Sequence, residues 1–172
     1  TPTYTELNIG GVLDTFTSIT VAEKAIPNAF SFTDQTNVAL STLMTSNTIT
    51  VSGINLPAPI SVTGTGGTYR INSGGYTANA GTVENGDTVT VRHTSSDSFS
   101  TATNTKLTIG GVTRTFTSIT VAAITTPDSF PFNDLTDVAR STLMTSDPIT
   151  VSGINTAVAI SVTGGEYSIN GG

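Results

Sequence analysis

Ile49-Thr50-Val51-Ser52-Gly53-Ile54-Asn55 occurs twice in this chain, the second time unchanged as Ile149-Thr150-Val151-Ser152-Gly153-Ile154-Asn155. Within it Ile49 and Val51 alternate with Thr48, Thr50 and Ser52. A period of two is the mark of a strand with one apolar face. Gly53 then shifts the phase, as a β-bulge or a strand end does. The two copies stand 100 residues apart, and Ile9-Gly10-Gly11-Val12 returns at the same offset as Ile109-Gly110-Gly111-Val112. Residues 7–64 align with 107–164 without a gap, and 38 of those 58 positions are identical. A fixed period of this kind decides the fold before any single element does, and here it says tandem β modules.

The repeat is out of phase with the chain. Pro27-Asn28-Ala29-Phe30, echoed by Pro127-Asp128-Ser129-Phe130, is a natural module start. Residues 25–122 then form one complete module. Residues 1–24 are read as the C-terminal hairpin of a preceding module and 123–172 as the N-terminal half of a following one.

Composition agrees with an all-β chain. The hydrophobic share of the 172 residues is 36% and the charged share 10%. Thr, Ser, Asn and Gly replace charge, and they suit strand faces and turns. The net charge is −6, and the six basic residues, Lys24, Arg70, Arg92, Lys106, Arg114 and Arg140, are scattered. Nucleic acid and anionic membrane surfaces, which demand clustered cations, are therefore not expected partners. With no cysteine, neither disulfides nor thiolate metal sites are possible. No apolar run reaches the length of a membrane-spanning helix. Thr1 opens directly into a strand pattern, so a secreted chain without its leader, or an internal piece of a longer one, is expected.

Within the complete module, short strands are expected at Phe30–Phe32, Ile49–Val51, Ile60–Val62, Tyr69–Ile71, Val89–His93, Leu107–Ile109 and Val112–Ala122. Val38 to Ser46 reads as a bulged strand or a helical turn. Pro57 and Pro59 point to an edge or a turn. Gly110-Gly111 is a two-residue hairpin signal. Phe116 is out of phase with Ile119 and Val121, which predicts a bulge near Thr117-Ser118. Seven or eight strands without intervening helices make a two-sheet antiparallel sandwich.

Ile-Thr-Val-Ser-Gly-Ile, Ile-Ser-Val-Thr-Gly, Asn-Gly-Asp-Thr-Val-Thr-Val-Arg and Leu-Thr-Ile-Gly-Gly-Val together resemble the bacterial immunoglobulin-like repeats of large secreted surface proteins. The resemblance covers nearly the whole chain. It implies an immunoglobulin-like β-sandwich of about 100 residues per repeat, exported to the bacterial cell surface, in a filament, stalk or adhesin. It carries no catalytic residues, and no enzyme activity is expected. The expected partners are adjacent repeats or copies of the chain, head to tail, joined covalently or by strand addition.

Chemistry-bearing residues are few. His93, the only histidine, falls in phase with Val89 and Val91, at the inward or rim end of its strand. Asp128, Asp134 and Asp137 cluster near the start of the last half-module, where a calcium ion is a possible cofactor, although their spacing is not that of an EF-hand. Asp is equally a turn residue. A Lys–Asn isopeptide bond, found in some surface immunoglobulin-like domains, is not expected: Lys106 points away from the apolar face, with Glu6 as its counterpart, and Lys24 aligns with Ile124. Gly64-Thr65-Gly66-Gly67 lacks the following Lys and helix of a phosphate loop and reads as a hairpin tip. Two alternatives to a structural role are a glycan- or surface-binding module, with Tyr69 and Tyr76 as its aromatics, and an accessory domain of a secreted enzyme.

Overall fold

The computed structural model describes residues 1–172. It contains strands, turns and irregular chain, and no helix. Eleven strands follow in order: β1 (Pro2–Ile9), β2 (Val12–Ile19), β3 (Gln35–Val38), β4 (Leu43–Thr45), β5 (Ile49–Thr50), β6 (Ala58–Thr63), β7 (Thr68–Ile71), β8 (Gly81–Val83), β9 (Thr88–Thr94), β10 (Ala102–Ile109) and β11 (Val112–Thr120). The chain divides into two units, Thr1–Val121 and Ala122–Gly172.

In the first unit β3 to β11 build two sheets. One has the order β3-β11-β10-β6-β8. In the other, β4, β5 and β7 all pair with β9. Their inward rows meet in one core of Ile49, Val51, Ile54, Ala58, Ile60, Tyr69, Val83, Val89, Val91, Leu107, Ile109 and Phe116. The alternation explains the selection. On β9, Val89, Val91 and His93 are buried, whereas Thr88 and Arg92 lie on the outer face.

Several local expectations are corrected. Phe30 and Phe32 make no strand. The free edge of β11 pairs instead with Gln35 and Val38, leaving residues 30–32 without a ladder partner. The two rings act as pegs: they meet edge to face at 6.0 Å, and Phe32 stands 6.3 Å from Phe116. The stretch from Val38 to Ser46 contains no helical turn. β4 and β5 run along one edge of β9 and break at Ser46, whose N–H donates to Val91 O (2.9 Å) while its Oγ accepts from Val91 N (3.0 Å). Pro59 sits inside its sheet, between β10 and β8, opposite Thr82.

The bulge expected near Thr117-Ser118 is absent from the β10–β11 ladder, which runs unbroken from Ala102↔Ile119 to Ile109↔Val112. Ser118 and Thr120 point inward and are buried, while Ile119 faces out. The inward row therefore switches from apolar to polar, and the register break lies on the other side of β11, against β3.

The Gly110-Gly111 turn has φ of +53° and +87°, both left-handed, as a two-residue primed turn requires. A Cβ on Gly110 would collide with the Ala25 carbonyl oxygen and stand 2.8 Å from Pro27 Cδ. Gly10, its counterpart in the β1–β2 hairpin, has open space at the same position.

The second unit repeats the turns of residues 22–72 but forms no strand. Positive φ recurs at Asp137 (56°), Ser141 (55°) and Gly153 (81°), matching Asn37 (55°), Ser41 (50°) and Gly53 (80°). The Phe130–Phe132 edge-to-face pair recurs too, at 6.1 Å. What is missing is the ladder, because every long-range partner of β3 to β7 in the first unit comes from β8, β9, β10 or β11.

Gly110→Ala is expected to destabilise the module by about 2–4 kcal/mol, from left-handed strain plus the clash. Gly10→Ala should leave the melting temperature of the module unchanged. Thermal unfolding of the two variants, followed by circular dichroism, checks the pair.

Candidate assembly interface

The two hairpins of the chain are the same element in two environments. β1 pairs with β2 in the register of β10 with β11, from Pro2↔Ile19 to Ile9↔Val12. Leu107 and Phe116 are each 0% exposed, whereas Leu7 is 60% and Phe16 71% exposed. Every residue from Thr1 to Lys24 is exposed. The hairpin thus carries a sheet face whose sequence is that of a core face and whose environment is water. Contiguous apolar exposure of this kind marks an interaction surface.

The matching half is equally bare. Val151 is 49% and Ile160 53% exposed, against 2% and 1% for Val51 and Ile60. Leu143, Phe132 and Tyr167 are also exposed.

His93 shows what the inner face of the β10–β11 hairpin holds. Its ring is 0% exposed. Nδ1 lies 2.9 Å from Thr105 Oγ1 and Nε2 lies 2.8 Å from Ser118 Oγ. The ring stacks on Phe116 with centroids 4.8 Å apart and planes at 30°. A neutral imidazole has one donor and one acceptor, and hydroxyls can serve either, so this ring is fully satisfied while uncharged. Burial pushes its pKa below the usual value of 6.5. All three contacts come from the β10–β11 hairpin. The β1–β2 hairpin keeps each of them, as Thr5, Phe16 and Ser18. It therefore presents a histidine cradle with no histidine in it.

The quoted motif contributes a second repeated device. Asn55 Oδ1 accepts from Lys24 N (2.7 Å) and its Nδ2 donates to Ala22 O (2.9 Å). Asn155 does the same with Ile124 N (2.7 Å) and Ala122 O (3.0 Å). Each asparagine clamps the chain that has just left a hairpin.

No family model and no curated protein matches this chain. Among solved structures it is similar to domains 4 and 5 of the S-layer protein SbsC, with 14% identity and a TM-score of 0.43. The match covers 71% of this chain, which spans 58% of that one.

No three His, Cys, Asp or Glu side chains form a group able to hold a metal ion, those of Asp128, Asp134 and Asp137 included. Asp128 Oδ2 accepts from Ser152 Oγ (2.9 Å). Asp137 occupies the left-handed turn position also taken by Asn37. Asp134 matches Asp34, whose Oδ1 accepts from Thr117 N on β11 (3.0 Å). Tyr69 is buried, with its hydroxyl donating to Asn79 O (2.8 Å), so it serves packing. The cradle around His93 was not foreseen. The signals for it in the sequence were polar residues in inward phase: His93 after Val89 and Val91, and Thr105 before Leu107 and Ile109.

Because burial disfavours protonation only in the folded state, His93 contributes stability that is full above its unfolded-state value of about 6.5 and is lost as pH falls from there through the lower folded-state value. The melting temperature of the module should therefore drop between pH 7.5 and 5, and His93→Gln should flatten that part of the profile. Phe116→Ala should cost the module about 3–5 kcal/mol. Phe16→Ala should change it by less than about 0.5 kcal/mol. Denaturant titrations separate the two phenylalanines.

Proposed function

We propose that this chain is a non-catalytic structural segment of an extracellular bacterial filament, stalk or adhesin, built from immunoglobulin-like repeats of about 100 residues joined end to end. In such a row each hairpin closes the repeat before it, and the asparagine clamp starts the next. One observation carries the reading. The β1–β2 hairpin holds Thr5, Leu7, Ile9, Phe16 and Ser18 in the register in which β10–β11 closes the complete repeat.

Magnitudes favour closure within a covalent row over closure between free chains. Burying Leu7, Ile9 and Phe16 is worth about 5–9 kcal/mol in all. Association of separate molecules costs about 4–15 kcal/mol in lost freedom. A short covalent link removes most of that cost by raising effective concentration.

The test is an extended chain in which a copy of residues 22–100 is joined ahead of Thr1. The expected result is a second cooperative unit in calorimetry and a second buried, neutral imidazole in NMR titration. Leu7 and Phe16 should become protected. If the added segment stays unfolded while residues 25–121 fold as before, the hairpin does not close a repeat and the reading fails.

A further inference from the structure

We infer that the outer face of the β7–β9 pair is a binding site for the anionic groups of an acidic polysaccharide, with Arg70 and Arg92 as its two ligand-binding side chains. The pairing Thr68↔Arg92 and Arg70↔Thr90 sets the two arginines diagonally on one face of the sheet. Tyr76 lies across them, with its ring centroid 3.8 Å from Arg92 Cζ and 5.2 Å from Arg70 Cζ. Arg70 Nε donates to Thr90 Oγ1 (3.0 Å), Arg92 Nε sits 3.3 Å from Thr68 Oγ1, and the Tyr76 hydroxyl is 3.2 Å from Thr90 Oγ1.

Each guanidinium thus spends its single inner donor on a threonine, with its Cζ over the Tyr76 ring. The four terminal N–H groups of each have no acceptor among the protein's hydrogen bonds. Neither arginine pairs with a carboxylate, although the chain has 12 acidic residues and only six basic ones. Two cations held side by side repel one another, and cation–π stacking offsets this only in part. An anion bridging the two forks removes the repulsion, and the fork geometry suits carboxylate and sulfate alike.

The shape of the site selects the ligand class. The site is the outer side of a sheet, with Arg70, Arg92, Tyr76, Thr68 and Thr88 half-buried and Thr45 exposed, and so accepts an extended polymer along its surface rather than an enclosed small molecule. Two arginines on a chain of net charge −6 are too few for the many phosphate contacts that hold a nucleic acid. A sugar chain with spaced charges and many hydroxyls matches two guanidiniums among threonines. Arg70 has Ser168 as its counterpart in the second copy, so the site belongs to this repeat and is no general feature of the fold.

The experiment is calorimetric titration of the 172-residue chain at pH 7 and low salt with polygalacturonate, dextran sulfate and neutral dextran. Saturable binding of either charged polymer, and none of neutral dextran, is expected; the polymer that binds identifies carboxylate or sulfate as the ligand group. Arg70→Gln with Arg92→Gln should weaken binding at least tenfold. Arg114→Gln, on a strand of the other sheet, should leave it unchanged. Should the double variant fail to melt cooperatively, Arg92→Lys decides, since it keeps the charge and loses the fork: a several-fold loss of affinity is expected. No binding above that of neutral dextran overturns the proposal. So does equal weakening by Arg114→Gln, full affinity in the double glutamine variant, or full affinity in Arg92→Lys.

Discussion

Strand β9 is the constraint on which the module rests. β4, β5 and β7 pair with it and not with one another. A strand without a ladder leaves its N–H and C=O groups to water and forfeits the regular geometry that makes an apolar row. The first fifty residues of a repeat therefore hold turns, and strands appear only once the later segments supply edges. The second unit shows this directly: the turn residues keep their left-handed conformations, the phenylalanine pair forms, and no ladder does.

His93 joins the two layers through the same strand. Most side chains crossing between the sheets are apolar and would tolerate rearrangement by a few tenths of an ångström. The imidazole is less forgiving, because two directional hydrogen bonds and a stacked ring must be satisfied together at a site without water. It fixes where the β10–β11 hairpin sits along β9. A buried polar group that is fully satisfied adds less to stability than a hydrocarbon of equal volume adds, but it penalises every other register.

The internal repeat also shows how far environment outweighs sequence. Phe16 and Phe116, or Val51 and Val151, share their flanking residues and differ completely in exposure. Local chemistry sets the turn at Gly10-Gly11 as firmly as at Gly110-Gly111, with φ of +61° and +91° against +53° and +87°. Burial depends on what stands opposite, so one sequence serves as a core face or as a docking face. The Arg70–Tyr76–Arg92 stack lies on the outward side of the β7–β9 sheet, away from the core that joins the two layers.

By itself the sequence determined the hundred-residue period, the all-β character, the primed turns at the glycine pairs and the inward rows of β6, β9 and β10, because turn chemistry and side-chain alternation are local properties. It misplaced Phe30 and Phe32 as a strand and inserted a bulge at Ser118, since both positions take their roles from partners more than 20 residues away: the edge of β11 and the ring of His93. Of the three aspartates close along the chain, Asp128 bonds Ser152 and Asp137 takes a left-handed turn position. Pairing order, the histidine cradle and the juxtaposition of the two arginines were decided only in three dimensions. Each depends on which strands lie side by side, and alternation along a single strand carries no information about its neighbours.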